Sequence, residues 1–599
     1  MIISDFARKI IFSVSILLFS AQLSALEKDL VLTDPDTALL QYVNFQDNMF
    51  NMQHIVSIPG SGYTVHLYNL TSQKWQTDAD IDRSVWTHSL VMIVPDIVNT
   101  KTGLLFVGGE DNTDPLPDGS DPTVQIITQL ALASQSIVSA VFQVPNQPII
   151  FENNDIPTKE DKLVAISWEN AINTGNLINT AYLPMVKSVV KAMDGIQSAV
   201  SDHGEYQINN FVLTGYSKRG AAVWLTAAVD SRVKAIAPGV IDFLNIVPSF
   251  EHHFRSYGEF STAIKDYVDL KITDDLRAPE FSRLAKVVDP FSYLDKLIMP
   301  KLILNSSGDQ FFLPDSSRFY FDQLPGENLI RFAANTDHSL ANSITGINDS
   351  LYSLLGWYQS VLYGLPRPEI QWQMNAGELQ AQTNQTPVAV KVWSAFNNSA
   401  RDFRKESIGE SWVSSHLPIS ETGEYTVTLP KSDTGFHATY IEFIYTGITG
   451  LPVTYSTQVY VTPDVYLFDF DDSVFSPKKS SYWKWQLKFL LKGFQTDVQA
   501  SDWLSYLPVP LFDDVVLDID EAYEIMSPYR MLSAEGLAKR ECLATRLNIE
   551  SGELSWYSLI NLPGHLGEKP LWQHYKLAHD NNENIPFLST YICHQLNKS

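Results

Sequence analysis

The segment FVLTGYSKRGAAVW, Phe211–Trp224, decides the fold class of this 599-residue chain. An apolar run ends at Gly215, Ser217 follows, and the small residues from Gly220 onward are typical of a closely packed helix. The pattern G-x-S-x-x-G predicts a tight strand-to-helix turn that lifts a serine hydroxyl above a sheet and points the helix N-terminus at developing negative charge. Ser217 is therefore a candidate nucleophile.

A serine nucleophile on such a sheet needs an acid and then a histidine, each in a loop after a later strand. Asp309 follows the predicted strand KLILN, and His338 follows the predicted strand that ends in LIRFAA. We expect Asp309 to orient His338, and His338 Nε2 to lie within hydrogen-bond reach of the Ser217 hydroxyl and to take its proton. Asp315 is the fallback acid.

An oxyanion hole is the third requirement of acyl transfer, because the attacked carbonyl oxygen becomes negatively charged. The backbone N–H of Lys218 is one expected donor, and Gly109 and Glu110 in the loop GGEDN supply the other. The Lys218 side chain has two interpretations of equal weight, a positive charge beside the oxyanion and an ordinary salt bridge.

Periodicity around these residues predicts an α/β-hydrolase-type, mostly parallel sheet of about eight strands within residues 26–365. An inserted helical cap is expected at approximately 241–298, where the connection is too long for an ordinary loop. Alternating runs at 366–465 predict an Ig-like β-sandwich domain. A mixed, partly helical extension of unknown role follows at 466–599.

Composition excludes several classes of protein. Acidic residues outnumber basic ones by 68 to 42, for a formal charge of −26, so a nucleic-acid partner is not expected. The two cysteines, Cys542 and Cys593, exclude a disulfide scaffold, although an oxidising compartment would allow one bridge between them. We expect no metal and no cofactor. The sequence does not indicate an oligomeric state.

The N-terminus predicts export. Basic residues precede a 14-residue apolar run from Ile10 to Leu23, and small residues follow it, as in a signal peptide spanning 1–25. That run is too short for a bilayer span, and we expect no membrane-spanning segment after cleavage. The mature protein is predicted to be periplasmic or extracellular.

Several motifs in order resemble the PhoPQ-activated pathogenicity-related proteins, an α/β-hydrolase-like family. They are LTSQKW (70–75), DRSVWTH (82–88), VPNQPI (144–149), ED (160–161), PMVKSVVKAMD (184–194), TGYSKRG (214–220) and NSSGDQFFLPDS (305–316). The resemblance implies that Arg219, which follows Lys218 in the S-K-R-G element, is a family trait. Ala221 departs from the family, in which many members carry tryptophan. The same element is similar to that of glucuronoyl esterases, which would favour an ester of an acidic sugar.

These observations predict an exported serine hydrolase that cleaves an ester or amide through an acyl-enzyme on Ser217. The substrate would be a small molecule, a saccharide ester or a peptide, and a carboxylester hydrolase is favoured over a serine peptidase. The family name adds a role in virulence or host interaction. The alternative from another class is a secreted binding or signalling protein that keeps the scaffold without turnover.

Overall fold

The computed structural model describes residues 30–152, 156–203, 206–274, 276–340, 346–431 and 434–470, and short pieces at 509–511, 514–516, 522, 542–547, 559–562 and 567–570. The chain divides into two units. One holds the residues up to Asp469 except 274–276, and the other holds 274–276 and the residues from Phe470 onward.

The first unit is built on one large mixed sheet. Its first nine strands are β1 Asn51–Pro59, β2 Tyr63–Lys74, β3 Val85–Pro95, β4 Thr102–Val107, β5 Val138–Val141, β6 Asn210–Tyr216, β7 Val233–Gly239, β8 Lys301–Ser306 and β9 Asn328–Ala333. They lie in the order β1-β2-β3-β5-β4-β6-β7-β8-β9. Pairing is antiparallel up to β5 and parallel from β5 to β9.

Helices lie before, between and after these strands. They are α1 Ala38–Asn44, α2 Pro122–Ser134, α3 Glu160–Thr174, α4 Tyr182–His203, α5 Lys218–Val229, α6 Ile246–Tyr257, α7 Lys265–Asp269, α8 Pro279–Val288, α9 Gly346–Tyr363 and α10 Lys405–Ile408. Helices α6 to α8 lie where the sequence predicts a cap, between β7 and β8.

Local sequence explains the start of α2. Asp121 caps it by accepting hydrogen bonds from the N–H groups of Thr123 and Val124, and Pro122 occupies the first turn, where a missing N–H costs nothing. Val124, Ile127 and their neighbours on that face are buried against the sheet. The helix therefore forms where the apolar spacing predicts it.

The strands after α9 differ from the predicted arrangement. They are β10 Ile370–Asn375, β11 Glu378–Thr383, β12 Ala389–Asn397, β13 Val413–Leu417, β14 Glu424–Thr428, β15 Phe436–Thr446, β16 Pro452–Ser456 and β17 Tyr460–Thr462. Five of them continue the large sheet beyond β9 in the order β16-β15-β12-β13, with β17 on β15, and β10-β11-β14 form a separate three-stranded sheet. A separate Ig-like sandwich is not confirmed.

The junction at β9 has a physical reason. An unpaired β9 would expose a row of backbone N–H and C=O groups at the sheet edge. Ile330 of β9 pairs with Ser456 of β16, and the Ser456 hydroxyl accepts a hydrogen bond from the N–H of Phe332. The core also runs across the junction, since Leu304 of β8 and Phe443 of β15 belong to one buried cluster.

The second unit contains two antiparallel strand pairs, β18 Val509–Leu511 with β19 Asp514–Val516 and β20 Leu559–Leu562 with β21 Gly567–Pro570. A helical stretch covers 542–547, and Cys542 is disulfide-bonded. Its predicted partner Cys593 lies outside the described residues, as does the predicted signal peptide 1–25. Within the described part of the chain, no helix has the length and apolar character needed to cross a bilayer.

Candidate active site

Ser217 sits in a strained turn between β6 and α5. Its backbone has φ 55° and ψ −131°, a left-handed conformation that a non-glycine residue seldom adopts without a functional reason. Its N–H donates to the carbonyl of Gly239 at 2.8 Å, which fixes the turn to β7. A Cβ on Gly220 would lie 2.8 Å from Ile241 Cγ2 and 3.0 Å from the Gly215 carbonyl oxygen, so only glycine fits there.

Asp309 and His338 form the predicted pair. His338 Nδ1 lies 2.8 Å from Asp309 Oδ2 and 3.0 Å from Oδ1. The Asp309 carboxylate is buried and also accepts a hydrogen bond from the N–H of Phe311 at 2.7 Å. The Phe311 ring packs against the imidazole at a centroid distance of 4.3 Å. The carboxylate is thus placed to hold one imidazole orientation and to stabilise its charged form.

The fallback acid Asp315 has another role. Its Oδ2 lies 2.6 Å from Arg401 Nη2, and its Oδ1 lies 2.9 Å from Nε2 of His252, a histidine of α6. Burial alone would raise the Asp315 pKa, but the positive charge of Arg401 and the His252 contact hold that pKa well below its usual value. Asp315 is therefore a buried ion-pair partner within the first unit.

Topology brings the three candidate residues to one edge of the sheet. Strands β6, β8 and β9 run parallel, and Ser217, Asp309 and His338 each follow the carboxyl end of one of them. No hydrogen bond joins Ser217 Oγ to His338 Nε2 in the described residues, so the expected serine–histidine hydrogen bond is not formed. Such bonds are often long without substrate and close in the reacting complex.

The loop after β4 contains the residues predicted to supply a backbone donor, Gly109 and Glu110. The carbonyls of Gly108 and Gly109 accept hydrogen bonds from the N–H groups of Val144 and Gln143, which anchors the loop. Glu110 has φ 62°, and the N–H groups of Gly109 and Glu110 donate to no acceptor among the described residues. With the N–H of Lys218 at the first turn of α5, they are available to an oxyanion.

A cluster of charged side chains, which the sequence did not predict, packs against the loop after β4. Glu160 Oε1 lies 2.6 Å from Arg219 Nη2, and Lys218 Nζ lies 2.8 Å from Glu160 Oε2 and 3.0 Å from Asp161 Oδ2. Arg219 also donates from Nε to the carbonyl of Val144 at 2.6 Å. Burial would raise the Glu160 pKa, but the hydrogen bond and charge of Arg219 lower it below its usual value. The Lys218 side chain thus forms a salt bridge, one of its two predicted interpretations.

The cluster also supports the oxyanion loop. A Cβ on Gly109 would lie 2.7 Å from Arg219 Nη2, so the guanidinium packs directly on the loop backbone. Glu160 and Arg219 are 59 positions apart, so no local pattern predicts their contact. The ED motif at 160–161 was its only signal in the sequence.

A cavity of about 40 Å³ adjoins the nucleophile, and Ser217 and Lys218 line it. The wall is largely aromatic and includes Trp168, Tyr267 and Phe311. A second acid, Asp242, also lines it and was not singled out from the sequence. In the ranges that the structure describes, no group of three or more His, Cys, Asp or Glu side chains has the arrangement of a metal site.

Comparison with known proteins identifies relatives. The model of the PhoPQ-activated pathogenicity-related protein family matches residues 39–404. Autocrine proliferation repressor protein A of Dictyostelium discoideum is 36% identical over 432 residues, which cover 68% of this chain and 86% of that protein.

Solved structures that match part of this chain include acetyl xylan esterase 1 from Thermoanaerobacterium sp. JW/SL YS485, with 13% identity, a TM-score of 0.39, and coverage of 55% of this chain and 96% of that one. A glucuronoyl esterase from Solibacter usitatus shows 12% identity, a TM-score of 0.32, and coverage of 55% and 92%.

Proposed function

The chain belongs to the PhoPQ-activated pathogenicity-related protein family, and from its site we propose that it is a serine hydrolase that cleaves carboxylic esters through an acyl-enzyme on Ser217. The observation that carries the proposal is the strained turn at Ser217 combined with the buried Asp309–His338 pair at the same sheet edge. Strain of this kind persists where the surrounding structure enforces it, which is a common property of catalytic turns.

In the proposed reaction Ser217 Oγ attacks the carbonyl carbon of the ester while His338 Nε2 takes the hydroxyl proton. The carbonyl oxygen becomes an anion that the N–H groups of Lys218, Gly109 and Glu110 stabilise. When the C–O bond to the leaving group breaks, His338 returns the proton to the departing alcohol. Water then attacks the acyl-enzyme by the same route and releases the acid and free Ser217.

We favour an ester over an amide as the substrate. A serine peptidase remains the second reading of the same constellation. Equal turnover of peptide amides and esters would support it.

Exposure of the purified protein to a fluorophosphonate probe tests the nucleophile. We expect covalent labelling of the wild type and none of Ser217→Ala. Ser316→Ala is the matched control, because Ser316 is buried and lines the same cavity, and it should label normally. Absence of labelling in a folded, monodisperse wild-type sample would refute the hydrolase.

One observation favours a second function, a secreted signalling protein. The Dictyostelium relative is named a proliferation repressor, and a signal of that kind does not need turnover. Growth assays with purified wild type and Ser217→Ala separate the two functions, because a signalling role predicts equal repression by both.

We also propose export, on the strength of residues 1–25. Mass spectrometry of the secreted fraction should find a mature N-terminus near Leu26, and an intact Met1 there would contradict cleavage.

A further inference from the structure

Three partly exposed phenyl rings lie beside the candidate triad. They belong to Phe243, which follows β7, and to Phe311 and Phe312, which follow β8, and all three residues line the Ser217 cavity. The ring centroids of Phe243 and Phe312 are 5.5 Å apart, and those of Phe312 and Phe311 are 6.1 Å apart. These adjoining rings form one apolar surface, which we call the phenyl platform.

The phenyl platform reaches the imidazole of His338. The centroid of that ring lies 4.3 Å from the Phe311 ring and 5.8 Å from the Phe312 ring. In the proposed reaction His338 Nε2 returns a proton to the departing alcohol, so the alcohol oxygen must come within hydrogen-bond reach of the imidazole. The acyl carbon is bonded to Ser217 Oγ at that moment. The alcohol part of the ester is therefore the part that lies beside the phenyl platform.

A packed aromatic layer lines the rest of the cavity. Trp168, Phe250 and Tyr267 are at most 8% exposed, and the Phe250 ring meets the Phe243 ring edge-on at a centroid distance of 4.8 Å. Apolar surface that stays in contact with water is unfavourable, and a patch of it inside a cleft is typical of a ligand site. The platform rings, unlike the layer behind them, keep part of their surface available to a ligand.

Charged side chains on the same wall are engaged by neighbours. Lys218 Nζ lies 3.0 Å from Asp161 Oδ2, and the Tyr320 hydroxyl donates a hydrogen bond to Asp242 Oδ1. A charged substrate group would have to compete with these contacts, whereas an uncharged apolar group would not. A substrate ring gains further, because aromatic pairs with centroids about 4.5–7 Å apart attract each other beyond the effect of area.

We propose that the substrate of the Ser217 site is a carboxylic ester whose alcohol part carries an aromatic ring, and that Phe243, Phe311 and Phe312 bind this ring. The proposal rests on the hydrolase proposed above and names the class of ester that it accepts. The phenyl platform determines specificity and takes no part in bond breaking.

Three acetates test the proposal: ethyl acetate, cyclohexylmethyl acetate and benzyl acetate. They share one acyl group, and their alcohols have similar acidity, so differences in kcat/KM report how the alcohol part is bound. We expect kcat/KM for benzyl acetate to exceed that for ethyl acetate roughly tenfold or more, from the additional apolar area. It should exceed that for cyclohexylmethyl acetate by about two- to tenfold, the gain of one aromatic pair. Ethyl phenylacetate, with its ring on the acyl side, should gain less over ethyl acetate than benzyl acetate does.

Phe312→Leu is the decisive variant, because leucine keeps an apolar side chain and removes the ring. The ratio of kcat/KM for benzyl acetate to that for cyclohexylmethyl acetate should fall towards one, and Phe243→Leu should change it in the same direction. Both rates come from one preparation, so partial loss of folded protein leaves the ratio unchanged. Phe396→Leu is the matched control: the Phe396 ring is 43% exposed and lies 4.4 Å from the ring of His437, but Phe396 belongs to β12 and does not line this cavity. Its ratio should match the wild type.

A wild-type ratio of one or less, or the same ratio in the wild type and in both platform variants, would overturn the proposal. A larger gain for ethyl phenylacetate than for benzyl acetate would overturn the assignment of the phenyl platform to the alcohol part. Fluorophosphonate labelling keeps the two proposals apart. A protein that labels at Ser217 and shows no preference for the aromatic alcohol fails only this inference, and one that neither labels nor hydrolyses any ester fails as a hydrolase.

Discussion

Replacing Asp309 and Asp315 separately by Asn tests which acid serves His338. The two residues are six positions apart, both are 2% exposed, and each contacts a histidine. The structure predicts opposite consequences, because Asp309 holds the histidine of the candidate triad and Asp315 holds a buried arginine.

For Asp309→Asn we expect kcat to fall by about three to four orders of magnitude, since an amide cannot stabilise the charged imidazole and favours the wrong tautomer. Stability should change little, because the Asn side-chain oxygen can still accept the hydrogen bond that the N–H of Phe311 donates to Asp309 Oδ1 at 2.7 Å.

For Asp315→Asn the cost is in folding. The Arg401 side chain is 1% exposed, and it loses the charge of a carboxylate that lies 2.6 Å from its Nη2. Removing one member of a buried ion pair costs about 3–5 kcal/mol, because the other charge stays buried without compensation. Asp464 Oδ1 remains 3.3 Å from Arg401 Nη2 and is 52% exposed, so its charge compensates part of the lost ion-pair energy. We therefore expect a value near the lower end, about 3 kcal/mol.

Urea unfolding followed by tryptophan fluorescence measures the stability, and initial rates with a short-chain ester measure kcat under conditions where each variant is folded. Asp315→Asn should keep kcat within a few-fold of the wild type. The assignment would be refuted by an Asp315→Asn protein that is inactive at unchanged stability, or by an Asp309→Asn protein with more than a tenth of the wild-type kcat.

Three further predictions concern the surroundings of Ser217. Gly109→Ala should lower kcat roughly 10- to 100-fold and leave KM within about threefold, because the new Cβ would lie 2.7 Å from Arg219 Nη2 and displace the oxyanion donors. Steady-state kinetics measure both constants, and a change confined to KM would contradict the prediction. Glu160→Gln should lower the free energy of unfolding, measured in urea, by about 1–3 kcal/mol. It should also lower kcat, because Arg219 loses the carboxylate that holds it; an unchanged kcat would show that the charged cluster does not position the loop. Burial raises the pKa of Asp242 from 3.8 to about 7, so this carboxyl binds a proton more readily in the folded than in the unfolded protein. Its contribution to the free energy of unfolding should therefore fall as the pH rises from about 4 to about 7, by at most on the order of 4 kcal/mol. Asp242→Asn should flatten that slope in unfolding measured between pH 4 and 8, and an identical slope in the variant would contradict the buried acid.

Much of the α/β architecture follows from local sequence. The apolar spacing of Pro122–Gln135 predicts α2, and the run before Gly215 predicts β6, because each pattern states which faces of a short segment must be buried. The strand β1 was missed. Its residues are almost all exposed, so its alternation carries little information about burial.

The arrangement of the last strands shows the opposite case. The runs at 366–465 correctly indicate antiparallel strands, but alternation within a strand does not specify its neighbour. Ile330 and Ser456, which join β9 to β16, are 126 positions apart, and only the folded chain brings them together.

The sequence by itself predicted Ser217, Asp309 and His338, in that order, as the candidate catalytic residues. Each of them occupies a short loop after a recognisable strand, and parallel strands bring such loops to one edge of the sheet. Only the tertiary structure decided what surrounds them: that Asp315 pairs with Arg401, 86 positions away, that Glu160 holds Arg219 against Gly109, and that Asp242 lines the Ser217 cavity. The physical reason is that charge pairing and cavity shape depend on which distant side chains are buried together, and spacing along the chain does not encode that.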